Sequence, residues 1–120
     1  MKFIKFAIMF LLLLSPCVAT AGAILTVTVV DDNGPVNGHY VTVKAWVWDR
    51  DRSLNRYITK RGFTGNSKYE YDGEQVFVFN KNVVFSSTKP SIIICGGPFS
   101  RKVVKQVRLF GFKERVTVHR

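Results

Sequence analysis

Carboxylates are scarce in this sequence: 8 Asp and Glu stand against 18 Lys and Arg in 120 residues, a formal net charge of +10. So lopsided a balance points away from cationic ligands and toward anionic partners, without naming one. Cysteine is scarcer still, since only Cys17 and Cys95 occur, too few for a disulfide framework. The two histidines, His39 and His119, lie in no motif that would supply a positioned general base. There is no repeat, no low-complexity tract and no long amphipathic helix, which excludes solenoids and coiled coils. After residue 21, no apolar run approaches the roughly 20 residues that a membrane-spanning helix needs.

The longest apolar run stands at the start. Lys2 and Lys5 give a positive beginning, Phe6 to Leu14 an unbroken apolar segment, and Ala19-Thr20-Ala21 a small-residue cleavage site. This is an export signal in its usual order, and cleavage is expected after Ala21. A lipoprotein signal at Cys17 is the rival reading, but Pro16 directly before the cysteine fits it poorly. The mature chain, 22–120, has 99 residues, enough for one domain with one core. Without Lys2 and Lys5 it keeps 16 basic residues against 8 acidic ones, a net of about +8. Localisation is therefore expected to be secreted and extracellular, with no transmembrane segment in the mature chain and no nucleic acid as partner. The plausible anionic class is lipid head groups, sulfated glycans or acidic proteins. Cys95 is left alone, so no internal disulfide forms. It is either a buried, inert thiol or the site of an intermolecular disulfide.

What recurs along the mature chain is short β-branched and aromatic runs between turn residues. Ala23 to Val30 alternates Leu25, Val27 and Val29 with Thr26 and Thr28, and Asp31-Asp32-Asn33-Gly34-Pro35 ends it. Tyr40 to Trp48 puts Val41, Val43, Ala45 and Val47 on the core side, with Tyr40, Thr42, Lys44, Trp46 and Trp48 opposite. Arg56 to Phe63 alternates less cleanly. Tyr69 and Tyr71, a turn at Asp72-Gly73, and Gln75 to Phe79 read as a hairpin. Val83-Val84-Phe85 reads as a short strand. The continuous run from Ile92 to Cys95 suits a strand covered on both faces. Arg101 to Phe110 fits either a strand or a helical stripe of Val103, Val104, Val107 and Phe110, and its β neighbours favour the strand. A strand from Arg115 to Val118 closes the chain. The predicted fold is all-β, a seven- to eight-stranded antiparallel β-sandwich.

The order of these features resembles the transthyretin-like family of secreted nematode proteins over most of the mature chain. The matching pieces are the opening strand and turn at Leu25 to Gly34, and Val41-Thr42-Val43-Lys44-Ala45-Trp46 leading into Asp49-Arg50-Asp51. Leu54, the segment from Thr64 to Tyr69, Gly73, Pro90-Ser91-Ile92-Ile93-Ile94-Cys95 and the basic residues from Arg101 follow in the family's order. Where the family usually has a cysteine at the end of its opening strand, this chain has Val29-Val30-Asp31-Asp32, and Gly65-Asn66-Ser67 replaces its acidic turn. The resemblance implies a prealbumin-like sandwich and a binding role rather than catalysis. Some members are reported to bridge phosphatidylserine on dying cells to an engulfment receptor. Hydroxyisourate hydrolases, enzymes on the same fold, end in Tyr-Arg-Gly-Ser, whereas this chain ends Val116-Thr117-Val118-His119-Arg120.

Three groups of residues are candidates for binding. Asp49 and Asp51 have too few companions for a calcium site and interleave with Arg50 and Arg52, which reads as a self-neutralised turn; no metal and no cofactor are expected. Arg101, Lys102, Lys105, Arg108, Lys113 and Arg115, with Arg120 beyond them, form a basic cluster opposed only by Glu114. On a strand, Lys102 and Arg108 would share one face and Lys105 would point away, so the cluster is either one patch or two. Trp46 and Trp48 either make an aromatic platform or pack against a neighbouring strand or loop. The expected function is a non-enzymatic extracellular binding module whose basic surface engages an anionic membrane lipid or a cell-surface receptor. The alternative is a structural domain working through protein contacts alone, of unknown oligomeric state.

Overall fold

The computed structural model describes residues 22–65 and 71–120; residues 1–21, where the export signal is expected, and residues 66–70 lie outside them. Among these residues, alternation of apolar and polar side chains builds nine strands: β1 (Ile24–Asp31), β2 (Gly34–Pro35), β3 (Tyr40–Asp49), β4 (Leu54–Phe63), β5 (Glu74–Val78), β6 (Val83–Phe85), β7 (Ser91–Cys95), β8 (Val103–Val107) and β9 (Lys113–His119). No helix occurs among the described residues. The segment that fits both periods is a strand over Val103–Val107, where pairing to β7 decides it.

The strands form two sheets. In the first, β1 is central: β9 lies along one edge, and β5 and then the two-residue β2 lie along the other. In the second, the order is β4-β3-β7-β8, and β6 continues the edge of β3 beyond β7. Both sheets turn one face inward onto a single cluster. Leu25, Val27 and Val29 from β1 meet Val41, Val43, Ala45 and Val47 from β3, all fully buried, with Phe85, Ile93 and Leu109 filling between them. This is the two-layer answer for a chain whose strands each have one apolar face.

Two sequence expectations need correction. The sheets are not wholly antiparallel, because β9 runs parallel to β1, with Ile24 opposite Lys113 and Val30 opposite His119. The chain leaves β8 in one sheet, crosses at Leu109 to Phe112 and enters the other sheet alongside the start of β1, where Ile24 N–H donates to Phe112 O. Among the described residues there are nine strands rather than seven or eight, the extra one being β2, formed where Asn33 N–H donates to Asp31 Oδ1 and Gly34 takes φ +112°. On one edge β5 pairs with β1. Tyr71 and Glu74 close a turn through Glu74 N–H to Tyr71 O, and the expected partner at Tyr69 falls outside the described residues.

Candidate functional site

Residues paired across a ladder share a face, so the register of the five-stranded sheet fixes what its outer side presents. Trp46 stands opposite Tyr57, Tyr40 opposite Phe63, Trp48 opposite both Asn55 and Val84, and Thr42 opposite Arg61 and Ile94. Lys44 stands between Thr59 and Ile92; Ile92 and Ile94 in turn face Gln106 and Val104 of β8. The result is a broad face of aromatic and aliphatic side chains interspersed with Lys44 and Arg61, and bordered by Lys89, Lys102 and Arg108. No carboxylate lies on it among the described residues.

The aromatic side chains are held in place. Trp46 and Tyr57 rings lie 4.7 Å apart, tilted by 55°, and Tyr40 meets Phe63 edge-on at 5.1 Å. Between β6 and β7, the loop from Ser86 to Pro90 folds over Trp46: the indole Nε1–H donates to Thr88 Oγ1 at 2.8 Å, and Lys89 Nζ sits 4.7 Å from the ring centroid. Tyr57 OH donates to Pro90 O at 3.2 Å. Arg108 joins the same loop through Nη1–H to Ser87 O at 2.7 Å. Trp46 is thus packed beneath a loop, and Trp48, 39 % exposed, is the open one of the pair.

The basic cluster of the carboxyl-terminal segment is divided by the crossover between sheets. Lys102 and Arg108 flank β8 beside the aromatic face. Lys105 points to the other side of β8, where its Nζ donates to Thr117 O of β9 at 2.8 Å and ties the two sheets along their edges. Lys113 and Arg115 belong to the outer face of the other sheet, and Arg115 is neutralised by Glu74 at 2.5 Å. Arg101 lines a separate cleft of about 310 Å³ with Asp31, Val103 and Arg120. What the sequence could not supply were the partners of Trp46 and Trp48: Lys44 is legible on β3 by alternation, but Tyr57, Arg61, Phe63, Ile92 and Ile94 join it only through register.

Asp49 is buried at the end of β3 and accepts from Arg56 Nε at 2.9 Å and from the backbone N–H groups of Asp51 and Arg52. Burial raises its carboxyl, but the hydrogen bonds from Arg56 and the backbone outweigh that and hold it below the ordinary carboxylate value. The side chain of Asp51 accepts from Asn82 Nδ2. Among the described residues, no three His, Cys, Asp or Glu side chains gather as metal ligands would. His39 has a buried Nε2 without a hydrogen-bond partner, and burial followed by the charge of Arg120 lowers its pKa. His119 is exposed.

Cys95 ends β7 with no exposure, and burial pushes its thiol up to about 11. A thiol both buried and protonated at neutral pH is a packing group, and a disulfide to a second chain would require β7 to leave the sheet. A disulfide-exchange reagent is expected to leave native Cys95 unmodified and to reach it in denaturant. A dimer band lost on reduction in non-reducing electrophoresis would contradict this. No family model matches this chain, and no curated protein does.

Proposed function

We propose that the protein is a secreted, non-enzymatic binding module of the transthyretin-like kind, on a prealbumin-like sandwich, and that it engages an anionic lipid surface through the outer face of the five-stranded sheet. The two-layer arrangement and the order of features along the chain support the prealbumin-like part of this reading. The observation that carries the functional part is the composition of that face: aromatic and aliphatic side chains among lysines and arginines, without a carboxylate. Such a surface offers an anionic interface both counter-charge and apolar area. A basic residue near it contributes roughly 1 kcal/mol, screened by salt, and aromatic rings settle at headgroup depth.

Co-sedimentation of the secreted protein with vesicles of phosphatidylserine and phosphatidylcholine, against phosphatidylcholine alone, tests the reading. Binding is expected only to the anionic vesicles and is expected to weaken as salt rises. Neutralising two face cations, Lys44→Gln with Arg61→Gln, is expected to weaken it about 30-fold at low salt, from roughly 1 kcal/mol for each charge. Absence of binding to anionic vesicles at low salt refutes the lipid reading and leaves a domain that works through protein contacts alone.

A further inference from the structure

One end of the sandwich carries two exposed aromatic side chains that the sheet face does not use. Phe110 and Phe112, 72 % and 58 % exposed, stand on either side of Gly111, while Leu109 just before them is buried. The segment is pinned: Phe85 and Gly111 exchange both backbone hydrogen bonds, at 2.9 and 3.2 Å, and Phe112 O accepts from Ile24 N–H at 2.8 Å. Gly111 takes φ +86°, a conformation that an L side chain rarely adopts, so the two phenylalanines are presented by a turn built for glycine. Large apolar groups held rigidly in solvent cost hydration without contributing to the core, which marks an interaction site.

Beside them lies a cleft of about 100 Å³ lined by Trp48, Arg50, Lys81, Asn82, Val83, Val84 and Phe112. Its volume is roughly that of three water molecules, the scale of a phosphate group rather than of a folded partner. Two cations and no carboxylate line it. The nearby carboxylates are engaged elsewhere: Asp49 and Asp51 line the adjoining cleft with Arg52 and Arg56, and Asn82 holds the Asp51 side chain there. Arg50 is fixed to this end by its N–H to Asn82 O at 2.9 Å. Trp48 belongs both to this cleft and to the outer face of β3, so the end is continuous with that face.

We propose that this end is the part of the protein that enters the bilayer: Phe110, Phe112 and Trp48 lie among the upper acyl chains, and Arg50 with Lys81 takes the phosphate of an anionic lipid headgroup. The inference rests on the lipid reading of the sheet face and adds which end inserts and what it grips. Aromatic rings beside cations, on a rigid tip, match the apolar-to-charged gradient of a membrane interface.

The test uses the secreted protein with vesicles of phosphatidylserine and phosphatidylcholine. Phe110→Ala with Phe112→Ala is expected to weaken binding at least about tenfold through lost apolar burial, with an unchanged circular dichroism spectrum because both rings are in solvent. Lys81→Gln is expected to weaken binding several-fold and to flatten its salt dependence. Bromine on the acyl chains is expected to quench tryptophan emission of the bound parent but much less that of Trp48→Phe, since Trp46 lies under the Ser86 to Pro90 loop. If the parent binds and the double phenylalanine variant binds equally well, the insertion proposal is overturned while the surface reading stands. If the parent binds no anionic vesicle, both are overturned.

Discussion

Phe85→Ala is expected to remove about 3–5 kcal/mol of folding stability, enough to unfold much of a domain whose total is on the order of 5–15 kcal/mol. Phe85 is 1 % exposed and is the largest fully buried side chain among the described residues. Its ring meets that of Phe79 edge-on, with centroids 5.4 Å apart and planes at 82°. Phe79 follows β5 of one sheet, and Phe85 ends β6 of the other, so this ring pair is where the layers interlock. Alanine would leave a cavity between two sheets that are each pinned by their own ladders and cannot collapse into it. The same residue exchanges backbone bonds with Gly111, so the carboxyl-terminal crossover loosens with it. Urea unfolding of Phe85→Ala against Phe110→Ala separates the two kinds of phenylalanine. The exposed one is expected to change stability by no more than about 0.5 kcal/mol, and equal losses would contradict the placement of both.

How much of this was legible in the sequence follows from where the information lies. Leu25, Val27 and Val29, and Val41, Val43, Ala45 and Val47, are inward because period-two alternation is local, and every one of them is fully buried. Which strands neighbour one another is not local. The parallel pairing of β9 with β1 joins residues about 90 positions apart, and β5 reaches β1 across β3 and β4. The turn expected at Asp72-Gly73 is local, like the alternation, and is present, closed by Glu74 N–H to Tyr71 O. The basic cluster shows the same limit for the site. Arg108 and Lys113 are close in the chain, yet they belong to different sheets because Leu109, 1 % exposed, drops into the core between them. Conversely Lys44, Arg61, Lys89 and Arg108 are scattered in sequence and meet around one face. A charge run along the chain predicts a surface only when the chain stays in one layer.

Thr64→Val is expected to cost about 1–3 kcal/mol for each of two backbone groups it would orphan, although valine matches threonine in shape. Thr64 follows β4 and is fully buried. Its Oγ1 accepts from His39 N–H at 3.0 Å and donates to Val36 O, while its own N–H donates to His39 O and its O accepts from Gly38 N–H. One side chain therefore satisfies the connection from β2 into β3, and valine keeps the backbone bonds but leaves His39 N–H and Val36 O without partners. Thr64→Ser keeps the hydroxyl and is expected to recover most of the loss. A Thr64→Val protein as stable as its parent, within about 0.5 kcal/mol, would contradict the role assigned to the hydroxyl. Loosening this connection also admits water to His39 Nε2, and the His39 pKa, lowered by burial and by Arg120, is expected to rise toward its ordinary value in an NMR titration. Vesicle binding is expected to persist in every folded molecule. Thr64 adjoins the start of β3, whereas Trp48 and the cleft of Arg50 and Lys81 lie at its far end, roughly 30 Å away along a ten-residue strand. The variant thereby distinguishes residues that hold the sandwich closed from those proposed to meet the lipid.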